Sequence, residues 1–278
     1  MMTKNEIKTS YKAQMNDPST SDNHKLYLTK LYKNQKMIRF LQILIIVSLI
    51  VLWEVATYYN VIDSFIFSSP SRVVNTFLEM AKDGSIFYHT GITIAETFGS
   101  FVIVVVVGTL IAILLWWNES IAKVVEPYLI VLHSLPKSAL APVFIVWLGN
   151  NMKTIIVCAI SVAIFSSIIN LYTAFKSVES DKIKLIKTLG GDTKDVLFKI
   201  VLPANIPVII SNMKVNIGSC LVGVIIGEFL AAKAGLGYLI IYGSQVFQLD
   251  LVITGIVLLC ILATGLYQLL TFFEKKYT

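Results

Sequence analysis

Charge is what this sequence has least of. Only 14% of its 278 residues are Asp, Glu, Lys or Arg, against 56% hydrophobic, and a soluble domain cannot keep that ratio because its surface needs polar cover. The formal charge of +6 would suit nucleic acid in a soluble chain. Here the lysines fall between long apolar runs, where charge reports membrane topology, and nucleic-acid binding is discounted. Cysteine is nearly absent. Cys158, Cys220 and Cys260 stand apart inside apolar runs with no Cys-x-x-Cys spacing, which excludes a disulfide framework and leaves them as packing residues. His24, His89 and His133 share no ligand spacing, so no metal site is expected. A Gly-x-x-x-x-Gly-Lys-Ser/Thr phosphate loop and a Gly-x-Ser-x-Gly elbow are both missing. If ATP drives this protein, another chain must bind it, and the chain itself is not read as an enzyme.

What is present is a series of apolar runs near the roughly 20 residues that a bilayer requires. Residues 1–36 read as a polar, disordered cytoplasmic tail, and residues 37–278 as the membrane domain. Phe40 to Tyr58 is a first span, too long and too far from the N-terminus to be a cleaved signal. Ser68-Ser69-Pro70-Ser71 opens a short amphipathic helix with Val73, Val74, Phe77, Leu78 and Met80 on one side, suited to an outer membrane surface. Ile92 to Trp117 is a second span. Ile121 to Gly149 is apolar but interrupted by Pro127, Pro136 and Pro142, and irregular backbone at membrane depth survives only in protein or beside a cavity. Pro136, Lys137 and Pro142 are therefore candidates for the translocation path. Thr154 to Phe175, Asn205 to Phe229 and Leu249 to Phe273 bring the total to about six spans.

The polar island at 176–203 is the exception. It predicts two short helices: Ser180 or Asp181 caps the first, Leu189-Gly190-Gly191 stops it, and Asp192 with Asp195 makes a capping box for the second. Ile183, Ile186 and Leu189, then Val196, Leu197, Ile200 and Val201, give each helix an apolar stripe beside a Lys-rich face. Lysine and arginine are frequent in the tail, the island and the C-terminus, whereas the opposite loops hold Arg72, Lys82, Lys153 and Lys233. That bias places both termini and the island in the cytoplasm.

Three further residues or motifs call for a reading. Gly223-x-x-x-Gly227 marks a close-packing face, within the chain or at a subunit interface. Lys214 fits a snorkelling side chain. Glu228, at the outer end of the fifth span, is either a hydrated loop carboxylate or a gate or binding-protein contact.

Gly190 followed by Ile200-Val201-Leu202-Pro203 resembles the coupling loop of the permease subunits of binding-protein-dependent ABC importers. Ser69-Pro70-Ser71, Leu135-Pro136-Lys137-Ser138, Trp147-Leu148-Gly149 and Gly227-Glu228 before Gly235-Leu236-Gly237-Tyr238 are similar to the nitrate, sulfonate and taurine branch. The resemblance covers Trp53 to the C-terminus. It implies an all-α integral membrane chain of the type I (MetI-like) importer fold. It also implies a bacterial plasma-membrane location, a second permease copy, cytoplasmic ATPase subunits and an extracytoplasmic binding protein. The ATPase-docking residues it implies are Lys184, Leu185, Thr188, Leu189, Gly190, Asp192 and Pro203, with Lys184-Leu185-Ile186 standing where the family has Glu-Ala-Ala. The implied solute is a small anion, an aliphatic sulfonate or taurine first, with nitrate, bicarbonate and a thiamine precursor as alternatives. An ion-coupled secondary transporter is the rival class; it needs an ion site and an inverted repeat that the sequence does not display.

Overall fold

The computed structural model describes residues 21–277. They form helices throughout, in two units that divide after Ser71. In the first unit a single helix, α1 (Asp22–Tyr58), contains the expected first span but begins well before it. Residues 22–36 are thus helical, not disordered as the tail reading expects. Between Ser21 and Phe40 there is no Pro or Gly, and Tyr27, Leu28, Leu31 and Tyr32 recur at helical spacing, so the helix of the span propagates backwards at little cost. Residues 1–20 of that tail lie outside the described residues. Glu54 accepts from the Ser71 N–H (3.0 Å) and hydroxyl (2.8 Å), which gives the carboxylate two donors.

The division falls in the first turn of α2 (Pro70–Lys82), the amphipathic helix, and the second unit continues with α3 (Ser85–Trp117). Next come α4 (Glu119–Ser134) and α5 (Lys137–Leu148), then α6 (Met152–Lys176). The polar island contributes α7 (Ser180–Thr188) and a composite second helix; α8 (Ile206–Ala231), α9 (Leu236–Gln245) and α10 (Leu249–Tyr277) complete the chain. Five of the described helices are long and apolar enough to cross a membrane, or six if α4 and α5, bent by 95°, count as one broken span. The break falls only at Leu135-Pro136. Pro127 and Pro142 sit inside α4 and α5, contrary to the expectation that each interrupts the chain. Only at Pro136 does the preceding residue, Leu135, turn to extended geometry (φ −63°, ψ 140°), the conformation a following proline favours.

The bundle is built on α3, α6 and α8. Gly223 of α8 lies so close to α6 that a Cβ there would stand 2.5 Å from the Ala159 Cα, and one on Gly227 would meet the Ile155 backbone at 3.0 Å. The Gly-x-x-x-Gly face is therefore consumed inside the chain and is not available to a second subunit. Cys158 and Cys220 are buried as packing residues, but Cys260 is exposed, because its side of α10 faces outward. Lys214 does not snorkel to water: it pairs with Glu274 of α10 and lies over the Tyr267 ring, since a buried cation needs a counter-charge. Arg72 donates twice to Asp250 (3.0 and 2.7 Å), tying α2 to α10.

Replacing Gly223 by Ala is expected to lower the thermal midpoint of the purified chain, at a cost of about 1–3 kcal/mol, because the clash is with backbone and cannot be relieved by a rotamer change. The same substitution at Gly218, inside α8 where a Cβ meets nothing within 4 Å, is the control and leaves the midpoint unchanged or slightly raised, since Ala is the better helix former.

Candidate functional site: a docking loop and a buried carboxyl pair

At one end of the bundle, the polar island folds as predicted in outline. Gly190 takes a left-handed φ of +84° after α7, a conformation that costs a residue with a Cβ about 1–2 kcal/mol. Asp192 accepts from the Asp195 N–H (2.9 Å) and the Asp195 carboxylate from the Asp192 N–H (3.1 Å), closing the capping box over Thr193–Val196. The ammonium of Lys199, 2.7 Å from Asp195, and that backbone bond hold the Asp195 carboxyl below the usual carboxylate range. Its contribution to the loop is therefore complete at neutral pH and is lost only as pH falls below the ordinary Asp range. Neither Ser180 nor Asp181 caps α7, whose N-cap is Glu179 without a side-chain bond.

Beyond the box the helix widens into a π-turn, Leu197–Val201, in which the Leu202 N–H reaches back to the Leu197 carbonyl. Pro203 explains it. With no N–H to offer the Lys199 carbonyl, the proline leaves the ladder to shift register by one residue.

Val196, Leu197 and Val201 are buried against Leu171 and Phe175 of α6 and Leu115 of α3, and Ile183 and Ile186 of α7 pack on the same cluster. The loop is thereby fastened to the bundle by one face. Leu189, expected on that stripe, is instead exposed (75%), as are Leu185 and Phe198. Lys184 is also exposed and pairs with Asp181 at 3.3 Å, and the Thr188 hydroxyl donates to the Lys184 carbonyl. Lys184, Leu185, Thr188, Leu189, Gly190, Asp192 and Pro203 are each exposed, and so is Phe198. Of the path candidates, Pro136 and Lys137 stand at the α4–α5 break, where the Lys137 ammonium donates to the His133 carbonyl at the C-terminus of α4; Pro142 lies a turn further along α5.

At the other end of α8, Glu228 is 1% exposed, so it is not a hydrated loop carboxylate. It accepts from the Thr93 hydroxyl of α3 (2.7 Å) and from the backbone N–H groups of Gly237 and Tyr238 in the first turn of α9. Thr93 in turn accepts from the Leu236 N–H (2.8 Å), and His89 Nδ1 from the Gly235 N–H (3.0 Å). The donors left over at the N-terminus of α9 are satisfied by side chains of α3 and α8, with a carboxylate at the positive end of the helix dipole. Gly-Leu-Gly is required here because a Cβ on Gly235 or Gly237 would fall inside the Glu228 side chain.

Glu96, one α3 turn beyond Thr93 and 2% exposed, is hydrogen-bonded to Glu228. Two carboxyls bonded to each other must share a proton. Sequence reading overlooked Glu96, although an ionisable group inside an apolar span was the signal that could have found it. Further along the bundle, Asn212 and Asn216 of α8 both donate to the Ser167 hydroxyl of α6 (2.9 and 2.8 Å), a second buried polar contact without a sequence motif.

A bundle of apolar helices with a polar loop at one end and one span bent at Leu135-Pro136 is the architecture of a polytopic membrane protein. The chain belongs to the family described as binding-protein-dependent transport system inner membrane component, which it matches over residues 104–278. It is 26% identical over 196 residues to the formylaminopyrimidine transport permease protein ThiX of Halalkalibacterium halodurans, covering 70% of this chain and 77% of that one. It is 25% identical to the putative aliphatic sulfonates transport permease protein SsuC of Bacillus subtilis (82% and 83% covered). The taurine transport system permease protein TauC of Escherichia coli is 24% identical (84% and 86% covered). Among solved structures, a chain of the inward-facing MetNI methionine ABC transporter superposes with a TM-score of 0.61 at 20% identity, covering 67% of this chain and 93% of that one. The fold is that of a type I importer permease.

Glu228→Gln sets an amide where hydroxyl and N–H donors converge, and is expected to lower stability by about 2 kcal/mol. Glu96→Gln keeps a donor towards Glu228 and leaves the thermal midpoint near wild type. Thermal unfolding of both variants in the same membrane mimetic measures the asymmetry; equal losses would contradict a bond in which Glu96 donates and Glu228, already the acceptor of the Thr93 hydroxyl and the Gly237 N–H, accepts.

Proposed function

We propose that this chain forms half of the translocation unit of an ATP-driven importer, as one of two identical copies in a bacterial plasma membrane with both termini in the cytoplasm. Its docking surface seats in a cytoplasmic ATPase, and an extracytoplasmic binding protein delivers a small solute to the opposite end. The observation that carries this reading is the loop: one face is anchored in the bundle core by Val196, Leu197 and Val201, while Leu185, Leu189 and Phe198 stand exposed on a soluble segment. Exposed apolar side chains on a polar loop are the mark of a partner surface. ATP is bound by that partner, and its closure draws two such loops together and turns the spans between inward and outward facing. For the solute, an aliphatic sulfonate or taurine is the first choice, supported by the names of two relatives; the formylaminopyrimidine relative keeps a thiamine precursor as the alternative.

Three experiments test the loop. Leu189→Asp with Phe198→Asp is expected to abolish co-purification of the ATPase with the tagged chain, while the chain still reaches the membrane. Gly190→Val forces a branched residue into a left-handed turn and is expected to leave ATP hydrolysis uncoupled from uptake in vesicles; normal coupling would remove the turn from the mechanism. Lys184→Glu reverses a charge on the docking surface and is expected to weaken assembly, because complementary charge sets partner choice.

A further inference from the structure

The first span, Phe40 to Tyr58, is about 28 Å of helix at about 1.5 Å per residue, close to the roughly 30 Å thickness of a hydrocarbon core. α1 does not stop at that boundary but runs on without a break to Asp22. On this extension Lys30, Lys33, Lys36 and Arg39 stand at intervals of three residues, all exposed. Each interval turns back by about 60° around the helix axis, so the four cations sweep about half of its circumference. The other half carries Tyr27, Leu31 and Ile38.

No carboxylate of the extension answers this row. Residues 23–53 contain neither Asp nor Glu, and among the described residues none of the four cations forms an ion pair. Elsewhere cations are matched: Lys123 by Glu119, Lys182 by Glu179, Lys184 by Asp181 and Lys199 by Asp195 within a helical turn, Arg72 by Asp250 and Lys214 by Glu274 between helices. On α1 the residue three along from Lys30, Lys33 or Lys36 is another cation, and like charges on one helix face destabilise the helix. A helix held in that state calls for negative charge from outside the chain.

Height decides the source. Measured from Phe40, Arg39 and Lys36 lie at most about 6 Å beyond the hydrocarbon, Lys33 about 10 Å and Lys30 about 15 Å, and any tilt lowers them. The polar layer on each face of a bilayer is about 5–8 Å deep, and charge is felt about 8 Å further into physiological salt. All four cations therefore fall within reach of lipid phosphates. Membrane topology alone is served by lysines anywhere in the short segments on that side; it does not require a row of one sign at this depth.

We propose that the basic extension of α1 is a binding surface for anionic phospholipid headgroups, which supply the counter-charge that holds residues 27–39 helical at the membrane face. The surface lies outside residues 104–278, the part that matches the family. It needs a membrane-spanning α1 but no ATPase, binding protein or solute.

Peptide-resolved amide hydrogen exchange of the full chain in lipid nanodiscs tests it. Replacing part of a phosphatidylcholine bilayer by phosphatidylglycerol is expected to slow exchange across residues 27–39 about tenfold at low salt, since each basic group near an anionic surface adds to the attraction. In about 1 M salt, where the screening length falls to about 3 Å, the difference disappears. The polar island, three of whose lysines are already paired with carboxylates, is the internal control and shows no comparable slowing. Lys33→Gln with Lys36→Gln removes most of the lipid response, although Gln forms helix about as well as Lys. Lys33→Arg with Lys36→Arg retains it.

Equal exchange in the two bilayers overturns the proposal, as does a slowing that survives high salt or the paired Gln substitutions. The same slowing produced in phosphatidylcholine by inorganic phosphate at matched ionic strength also overturns it and marks a site for a soluble anion. Protection that appears only when the chain is purified with a protein partner overturns it in favour of a protein surface.

Discussion

A polypeptide in hydrocarbon has no water to satisfy the groups its helices leave over, and this constraint shapes every place where the chain stops being helical. At the start of α9, the carboxylate of Glu228, the hydroxyl of Thr93 and the ring of His89 accept the free N–H groups. At the α4–α5 break, the ammonium of Lys137 supplies a donor to the last turn of α4. Asn118 caps α4 through the Ser120 and Ile121 N–H groups, and Asn151 caps α6 through those of Lys153 and Thr154. In each case a polar side chain inside or beside an apolar run does the work that solvent does for a soluble protein.

The same constraint explains the proline chemistry of the loop. Pro203 removes a donor at the point where the loop re-enters the bundle, and the π-turn at Leu197–Val201 recovers the ladder one residue out of step. The wider turn carries Leu197 and Val201 into the core beside Phe175 and Leu115, and leaves Phe198 pointing outward. Anchoring and presentation are therefore two sides of one backbone adjustment.

The helices α3, α6 and α8 join the two ends. Leu115 and Phe175 belong to the core beneath the polar loop, while Thr93 and Glu96 near the opposite end of α3 meet Glu228 of α8. Between them, Gly223 and Gly227 bring α8 against the α6 backbone, and Asn212 and Asn216 bond to Ser167.

The approximate number of spans, a proline break between the second and fourth of them, the left-handed Gly190 and the Asp192–Asp195 box were legible in the sequence, because each depends on local rules: hydrophobic run length, proline sterics, glycine freedom and side chains three residues apart. Even there local rules misled where neighbours decided, as with Leu189, on the apolar stripe by periodicity but exposed in the fold, and Lys214, which found Glu274 instead of water. The pairing of Glu228 with Thr93, 135 residues away, and with Glu96 was decided only by tertiary structure. A carboxylate in an apolar run states that a partner must exist. Which donors reach it depends on how α3, α8 and the Gly-Leu-Gly turn are packed, and that packing is set by the close approach of glycine faces that no local pattern pairs with their targets.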